Sequence, residues 1–256
     1  MNAQQSESAA LELSVVIPAY NEARRIERAL ERVMAFLTAR DLSWELVIVD
    51  DGSTDQTAMM VQHSIADHGG SGDTGQVRLI RLGKNQGKGA ALRAGVAATR
   101  GARVLMMDAD LATPIEELDA LERALQAGAQ VATGSRAVAE SRIRRPQSPL
   151  RVLLGRAGNL WIRSLAVPGV HDTQCGFKLF DGEIARRLFA LSRESRFGID
   201  IEILCLARRH LGLSVAEVGV AWEHQDGSKV RFRDYLDVLI KVPRIVWSVM
   251  RMPSDS

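Results

Sequence analysis

Two cysteines in 256 residues, Cys175 and Cys205, are too few for a disulfide framework and too far apart for a CxxC metal site. Both stand among apolar neighbours and read as small buried hydrophobes. Long apolar runs are also missing: no stretch of about 18 uninterrupted apolar residues occurs, so a membrane-spanning helix is not expected. The N-terminal MNAQQSESAALE has neither the basic nor the apolar region of a signal peptide, which points to a cytoplasmic chain. Excess charge is absent too, because 33 basic and 31 acidic residues leave a net +2. That balance removes the general case for a nucleic-acid partner. No GxGxxG follows the first apolar run and no GxxxxGK[ST] occurs, which disfavours a dinucleotide fold and a P-loop.

What is present is an ordinary globular composition, 46% hydrophobic and 25% charged. A chain of this length can bury roughly 70–75% of its extended surface. Residues 1–11 are small and polar and are expected to be disordered. Short β-branched runs at 13–17 (LSVVI), 45–49 (ELVIV), 77–82 (VRLIRL), 103–107 (RVLMM) and 130–134 (QVATG) predict strands. Amphipathic or apolar stretches between them predict helices over 22–40, from after Asp55 to about His68, from after Gly87 through Ala98, and from near Pro114. GGSGDTG at 69–75 reads as a flexible loop. Such alternation predicts an α/β fold with a mainly parallel sheet covered by helices on both faces.

The second half is less regular. Residues 137–148 are basic, carry a proline, and read as a mobile loop. Helices are expected over 150–165 and 182–191, and a strand over 214–222. The segment 196–211, with FGIDIEIL inside it, leaves helix and strand open; in a strand Asp200 and Glu202 would share a face.

Parallel sheets take ligands at the carboxyl ends of their strands, and there the polar clusters fall. PAYNE follows the first strand, DDGSTD the second, GKNQGKG the third and DAD the fourth, while the fifth ends at Ser135 and Arg136. In DDGSTD, Gly52 permits a tight turn and Ser53 or Thr54 can cap the next helix. The double acid Asp50–Asp51 exceeds what a turn requires and could accept hydrogen bonds from a base or a ribose. Lys84, Gly87 and Lys88 belong to a basic loop that opens a helix, an arrangement suited to an anion. In an extended segment Asp108 and Asp110 point the same way, so both carboxylates can face one Mg²⁺ or Mn²⁺ that keeps phosphate oxygens in its shell.

Taken in order, VVIPAYNE (15–22), VDDGSTD (49–55), NQGKGAAL (85–92), DADLATP (108–114), TGSR (133–136), DTQCGFKLF (172–180) and FGIDIEIL (197–204) resemble the family-2 inverting glycosyltransferases. More narrowly, they are similar to the polyprenyl-phosphate glucose and mannose synthases. The resemblance spans residues 13 to about 225 and implies the nucleotide-sugar-binding fold called GT-A. It implies one domain over 12–228, with 229–256 as an appended amphipathic helix and tail. By the same resemblance Pro18, Ala19, Tyr20, Glu22 and Asp51, with Asp50, would line the nucleoside pocket. Asp108, Ala109 and Asp110 would hold the sugar and a bridging metal, and Arg136 would reach a phosphate. The mannose synthases place a metal-holding glutamine where this chain has Ala112, a departure that favours UDP-glucose over GDP-mannose as donor and leaves Asp110 as the principal metal ligand.

An acceptor phosphate is already ionised and needs positive charge more than a base. Arg136, Arg142, Arg144, Arg145 and Arg151, together with Lys178, can supply that charge, and arginine's planar fork suits phosphate oxygens. If a base is used, Asp200 and Glu202 are the candidates. His171, His210 and His224 stand alone and read as structural or solvated. From Arg231 to Arg251 polar residues recur at three and four, with Phe232, Leu236, Leu239, Val246, Trp247 and Met250 on the other face. That is an amphipathic helix, kinked at Pro243, which would either pack on the sheet or lie in a membrane surface where a polyprenyl phosphate is confined.

Overall fold

Neighbouring residues of the apolar runs divide between two cores. Val16, Val47, Val49 and Val104 belong to one buried cluster, while Val15, Ile17, Leu46, Ile48 and Leu105 belong to the other. That period of two is what a sheet covered on both faces requires. The computed structural model describes residues 11–67, 75–145, 158–225 and 232–253. The expectations for residues 1–10, most of the 69–75 glycine loop, Arg151 and the start of the predicted 150–165 helix fall outside these, as do the side chains of Arg144, Arg145 and 232–236.

Seven strands form the main sheet: β1 Leu13–Ala19, β2 Trp44–Asp50, β3 Gly75–Arg81, β4 Arg103–Met106, β5 Val131–Ser135, β7 Lys178–Asp181 and β8 Val215–Gly219, in the order β3-β2-β1-β4-β7-β5-β8. β1 pairs in parallel with β2 and β4, β2 with β3, and β5 with β8. β7 runs antiparallel between β4 and β5. Two short strands, β6 Arg142–Arg145 and β9 Ala221–Glu223, pair in parallel apart from that sheet.

The helices α1 Ile26–Thr38, α2 Thr57–Asp67 and α4 Leu118–Gln126 cover one face, burying Leu30, Val61 and Leu121 among other side chains. α3 Lys88–Ala97, α5 (158–165), α6 Gly182–Leu191, α7 Ile199–Cys205 and α8 Phe232–Met250 supply the other core. Each fully buried Val, Leu or Ile contributes about 1.5–3 kcal/mol.

Several expectations need correction. α1 begins at Ile26 rather than 22, because residues 21–23 are tied to the turn after β2: Asn21, Glu22 and Ala23 N–H groups donate to Ser53 Oγ, Thr57 Oγ1 and Asp55 Oδ2. The start of α2 is satisfied by Asp55, which accepts the Thr57 N–H at 3.0 Å, and not by Ser53 or Thr54. The predicted 214–222 strand is two strands, which leave the main sheet at Val220 to pair with β6. Residues 142–145, expected in a mobile loop, are that partner strand. For 196–211, where the sequence leaves helix and strand open, Asp200 and Glu202 lie on a buried helix. Residues 107–110 leave the strand for a turn, and Leu111 adopts a left-handed φ of 54°. α8 continues through Pro243, and its buried face is Val238, Val242, Ile245 and Val249, not the expected face that included Trp247 and Met250.

Candidate active site

The turn after β4 opens into a cleft of about 320 Å³, continuous with solvent, whose walls include Asp108, Asp110, Arg136, Gln174, Gly176 and Trp222. Four chain segments converge on it. β4 delivers Asp108 and Asp110, β5 delivers Arg136, the run before β7 delivers 174–177, and β9 delivers Trp222. β9 is pinned there by the Glu223 N–H, which donates to the Ala112 carbonyl at 2.9 Å.

The two acids of DAD differ in environment. Asp110 accepts the Ala112 N–H at 3.0 Å, and burial together with the Asp108 charge pushes its carboxyl above the usual range. Asp108 is half-exposed and forms an ion pair with Lys88, Nζ to Oδ1 2.9 Å. Arg25, ion-paired to Glu22, lies close enough for both aspartates to favour its charge. Two carboxylates sharing one site fit a hard divalent cation. Among the described residues no three His, Cys, Asp or Glu side chains gather around one point. Asp110 and Asp108 could therefore hold Mg²⁺ or Mn²⁺ only with donor-phosphate oxygens or water completing the shell.

Arg136 donates from Nε and Nη2 to Asp172 at 2.6 and 2.8 Å, and from its backbone N–H at 2.9 Å. Its guanidinium also stands over the Trp222 ring, 5.6 Å from the centroid. Burial works against both charges of this pair, yet their mutual attraction outweighs it, holding Asp172 below and Arg136 above their ordinary values. Glu217 fixes the pair from behind by accepting the N–H groups of His171 and Asp172, both at 2.7 Å.

Other expected site residues have different employment. Asp51 accepts from Asn85 Nδ2 and from the Gln86 and Gly87 N–H groups, so it folds the GKNQG loop back on β2. Gly87 makes that turn with φ of 102°, where a side chain would be strained and would meet the Ser195 carbonyl. Asp50 is buried, accepts the Ser53 N–H at 3.1 Å and faces Arg81 at 3.8 Å. Neither acid of DDGSTD keeps a carboxylate set aside for a nucleoside, although Asp51, through the loop, shapes the place where one would sit. Pro18 and Ala19 close β1, and Tyr20 and Glu22 follow on the same rim. Lys84 is exposed on the loop beyond Asp51, while Lys88 points to the DAD acids rather than outward.

On the acceptor side the largest correction concerns Lys178, which is wholly buried and cannot meet an incoming phosphate. Its ammonium bonds the Cys175 carbonyl and Asp200 Oδ1, the latter at 2.7 Å. Asp200 is also buried, and despite the desolvation that opposes its charge, Lys178 and Lys88 hold its carboxyl below the usual range. A carboxylate so held is a poor proton acceptor, which corrects its candidacy as a base. Glu202 accepts the Arg193 and Glu194 N–H groups and caps that loop. Arg142 pairs with Glu117 at 2.7 Å on the surface. Asp172, Gln174, Gly176, Trp222 and Arg25 were not singled out in the sequence. Only DTQCGFKLF, as a motif, pointed toward any of them.

Cys175 lines the cleft but is no nucleophile, since burial and then the Asp172 charge push its thiol up to about 11; Cys205 is likewise raised to about 11 by burial. Both thiols are expected to stay unmodified by a thiol reagent at pH 8 in the folded protein and to react fully after denaturation. A single rapid equivalent in the native state would contradict this.

An acidic pair at the carboxyl edge of a largely parallel sheet, facing an arginine across an open cleft, is the plan of a GT-A glycosyltransferase. The family model described as glycosyl transferase family 2 matches residues 14–189. Relatives named dolichyl-phosphate beta-glucosyltransferase include one from Trichomonas vaginalis, 38% identical over 90% of this chain and 69% of its own length. Another, from Dictyostelium discoideum, is 39% identical over 85% and 68%, and the human one is 36% identical over 86% and 69%. Among solved structures, glucosyl-3-phosphoglycerate synthase from Mycobacterium tuberculosis in complex with Mn²⁺, UDP-glucose and phosphoglyceric acid superimposes with a TM-score of 0.68 at 24% identity, covering 97% of this chain and 82% of that one. This chain belongs to glycosyl transferase family 2, and it is a glycosyltransferase.

Proposed function

We propose that this enzyme moves glucose from UDP-glucose to a polyprenyl phosphate of the dolichyl type, with inversion at the anomeric carbon. The observation that carries the reading is that relatives from three distant organisms, each aligned over at least 85% of this chain, share one name, dolichyl-phosphate beta-glucosyltransferase. UDP-glucose is an α-linked donor, so a β-linked product means one displacement from the opposite face. Ala112 supports a glucose rather than a GDP-mannose donor: its methyl offers the metal nothing, and its carbonyl is taken by the Glu223 N–H.

In the displacement an acceptor phosphate oxygen forms a bond to C1 while the bond from C1 to the UDP oxygen breaks, and UDP leaves with the electron pair. No proton has to be removed from an acceptor already ionised at neutral pH, so the engagement of Asp200 with two lysines is no obstacle. Mg²⁺ or Mn²⁺ held by Asp110 and Asp108 would neutralise charge on the departing diphosphate. Asp172 accepts from two of the five N–H groups of the Arg136 guanidinium, so this arginine can still meet an anion on the acceptor side. Arg142, Arg144 and Arg145 belong to β6, the strand paired with β9.

A polyprenyl phosphate lies in a membrane, and α8 has the face to approach one. Ile240 is 77% exposed, Trp247 56% and Met250 68%, with the Arg251 guanidinium 4.1 Å over the Trp247 ring. No helix among the described residues is long and apolar enough to cross a membrane. This reading sets the enzyme peripherally on the cytoplasmic face.

The test is one reaction containing UDP-[¹⁴C]glucose, Mn²⁺ and equal amounts of polyprenyl phosphate in detergent, 3-phosphoglycerate and a free sugar. Label is expected in the organic phase alone. Label confined to the aqueous acceptors would replace this reading with a soluble-acceptor transferase.

A further inference from the structure

Behind the acidic pair a file of alternating charges runs inward from Asp108 to Lys88, Asp200 and Lys178. Lys88 Nζ lies 2.9 Å from Asp108 Oδ1 and 3.0 Å from Asp200 Oδ2. Asp200 gives its other oxygen, Oδ1, to Lys178 Nζ at 2.7 Å, and Lys178 in turn bonds the Cys175 carbonyl. The middle of the file is closed to solvent: the Asp200 side chain is 4% exposed and that of Lys178 0%. One buried carboxylate on α7 thus secures two separate walls of the cleft. Through Lys88 it reaches the first acid of DAD; through Lys178 it reaches the 175–177 segment on the opposite side.

These two walls touch each other. Gly176 packs so closely on Asp108 that a Cβ there would overlap the carboxylate. Asp108 is therefore held by Lys88 at one oxygen and backed by Gly176, and both holders are fixed by the same residue. Charge points the same way. Asp108, Asp110 and Asp200 against Lys88 and Lys178 leave one net negative charge among the five groups. Without Asp200 the sum is zero: Lys178 loses its carboxylate partner and Lys88 keeps only Asp108, behind a site that must attract a cation.

We propose that Asp200 is a positioning residue for the donor site: by anchoring Lys88 and Lys178 it fixes the orientation of Asp108 and keeps the cleft attractive to a divalent cation carrying a nucleoside diphosphate. This rests on the metal-dependent donor reading given above. Asp200 touches neither the sugar nor the metal in this role, and its two lysines leave neither oxygen for an acceptor proton.

The experiment measures free Mn²⁺ by electron paramagnetic resonance during titration of wild type, Asp200→Asn and Asp200→Glu in the presence of UDP, with KM and kcat determined in parallel. Asp200→Asn is expected to weaken Mn²⁺ binding by about 10–100-fold, the range for loss of a residue that orients a metal ligand. KM for UDP-glucose should rise in step with a smaller fall in kcat, and Asp200→Glu should recover part of the Mn²⁺ affinity. Wild-type Mn²⁺ affinity in Asp200→Asn would overturn the proposal, and if kcat alone had collapsed it would assign the residue to proton transfer instead. Should Asp200→Asn fail to fold, Asp200→Asn/Lys178→Gln removes anion and cation together. Because Lys88 still loses its anchor, that variant should bind Mn²⁺ about tenfold more weakly, and unchanged affinity there would equally overturn the proposal. A wild type that binds no Mn²⁺ with UDP would refute the donor-site reading itself, whereas binding unchanged by the substitutions refutes only the role of Asp200.

Discussion

Asp110→Ala is expected to lower kcat/KM for glucose transfer by about 10³-fold while leaving the folded protein at least as stable as wild type. The loss follows from the role of the carboxylate. If it holds the cation that neutralises the leaving diphosphate, its removal forfeits several kcal/mol of transition-state stabilisation, and about 4 kcal/mol corresponds to about 10³ in rate. The stability result has an independent origin. Burial and the neighbouring Asp108 raise the Asp110 carboxyl above its ordinary value, so at neutral pH the ionised residue opposes folding in the absence of metal. Alanine relieves that opposition and loses one hydrogen bond, from the Ala112 N–H. Steady-state kinetics with a thermal melt in EDTA would check both parts. Activity retained within tenfold would remove Asp110 from the metal site, and a marked fall in melting temperature would make it structural.

Asp172→Ala is expected to cost about 3 kcal/mol of stability, the low end for breaking a buried ion pair because Arg136 keeps a third of its side chain in solvent. Four donors lose their acceptor at once: the Arg136 backbone N–H, Nε and Nη2, and the Gln174 backbone N–H. The guanidinium then has the Trp222 ring but no anion, and the wall opposite DAD loosens. Transfer should fall with stability. The pH dependence carries a sign that distinguishes this cause from lost packing. In the folded protein the Asp172 carboxyl is held below its ordinary value of 3.8, so its stabilisation is fully present above that value and disappears as pH falls through the depressed folded value. Denaturant melts of wild type and variant should differ by a constant amount near neutrality and converge only at strongly acid pH. A gap that persists unchanged to the most acid pH would mean that packing, not the ion pair, was lost.

The first half of the fold was legible because its strands are buried on both sides and read as β-branched runs between helices. The strands that complete the site were not. β7 contributes Lys-Leu-Phe-Asp, and a lysine in sequence signals solvent, whereas Lys178 lies wholly inside against Asp200. β6 is Arg-Ile-Arg-Arg, a composition that reads as a loop until its partner, a strand of only three residues, is seen beside it. The acid pairs divided in an instructive way. DAD lines the cleft as expected, although in a turn rather than an extended segment. DDGSTD looked equally ligand-directed, yet Asp50 accepts the Ser53 N–H of its own turn and Asp51 accepts the donors that the close return of the 85–87 loop presents. The file from Asp108 to Lys178 was out of reach, since Lys88 and Asp200 are separated by 112 residues and no local pattern links them.

The measurement that bears most directly on the central claim is the configuration of the product at C1. With UDP-glucose, Mn²⁺ and polyprenyl phosphate, proton NMR of the purified lipid product should give the large H1–H2 coupling of a β-glucosyl phosphate. The small coupling of an α-glucosyl phosphate, or UDP release with no lipid-linked glucose at all, would contradict the account.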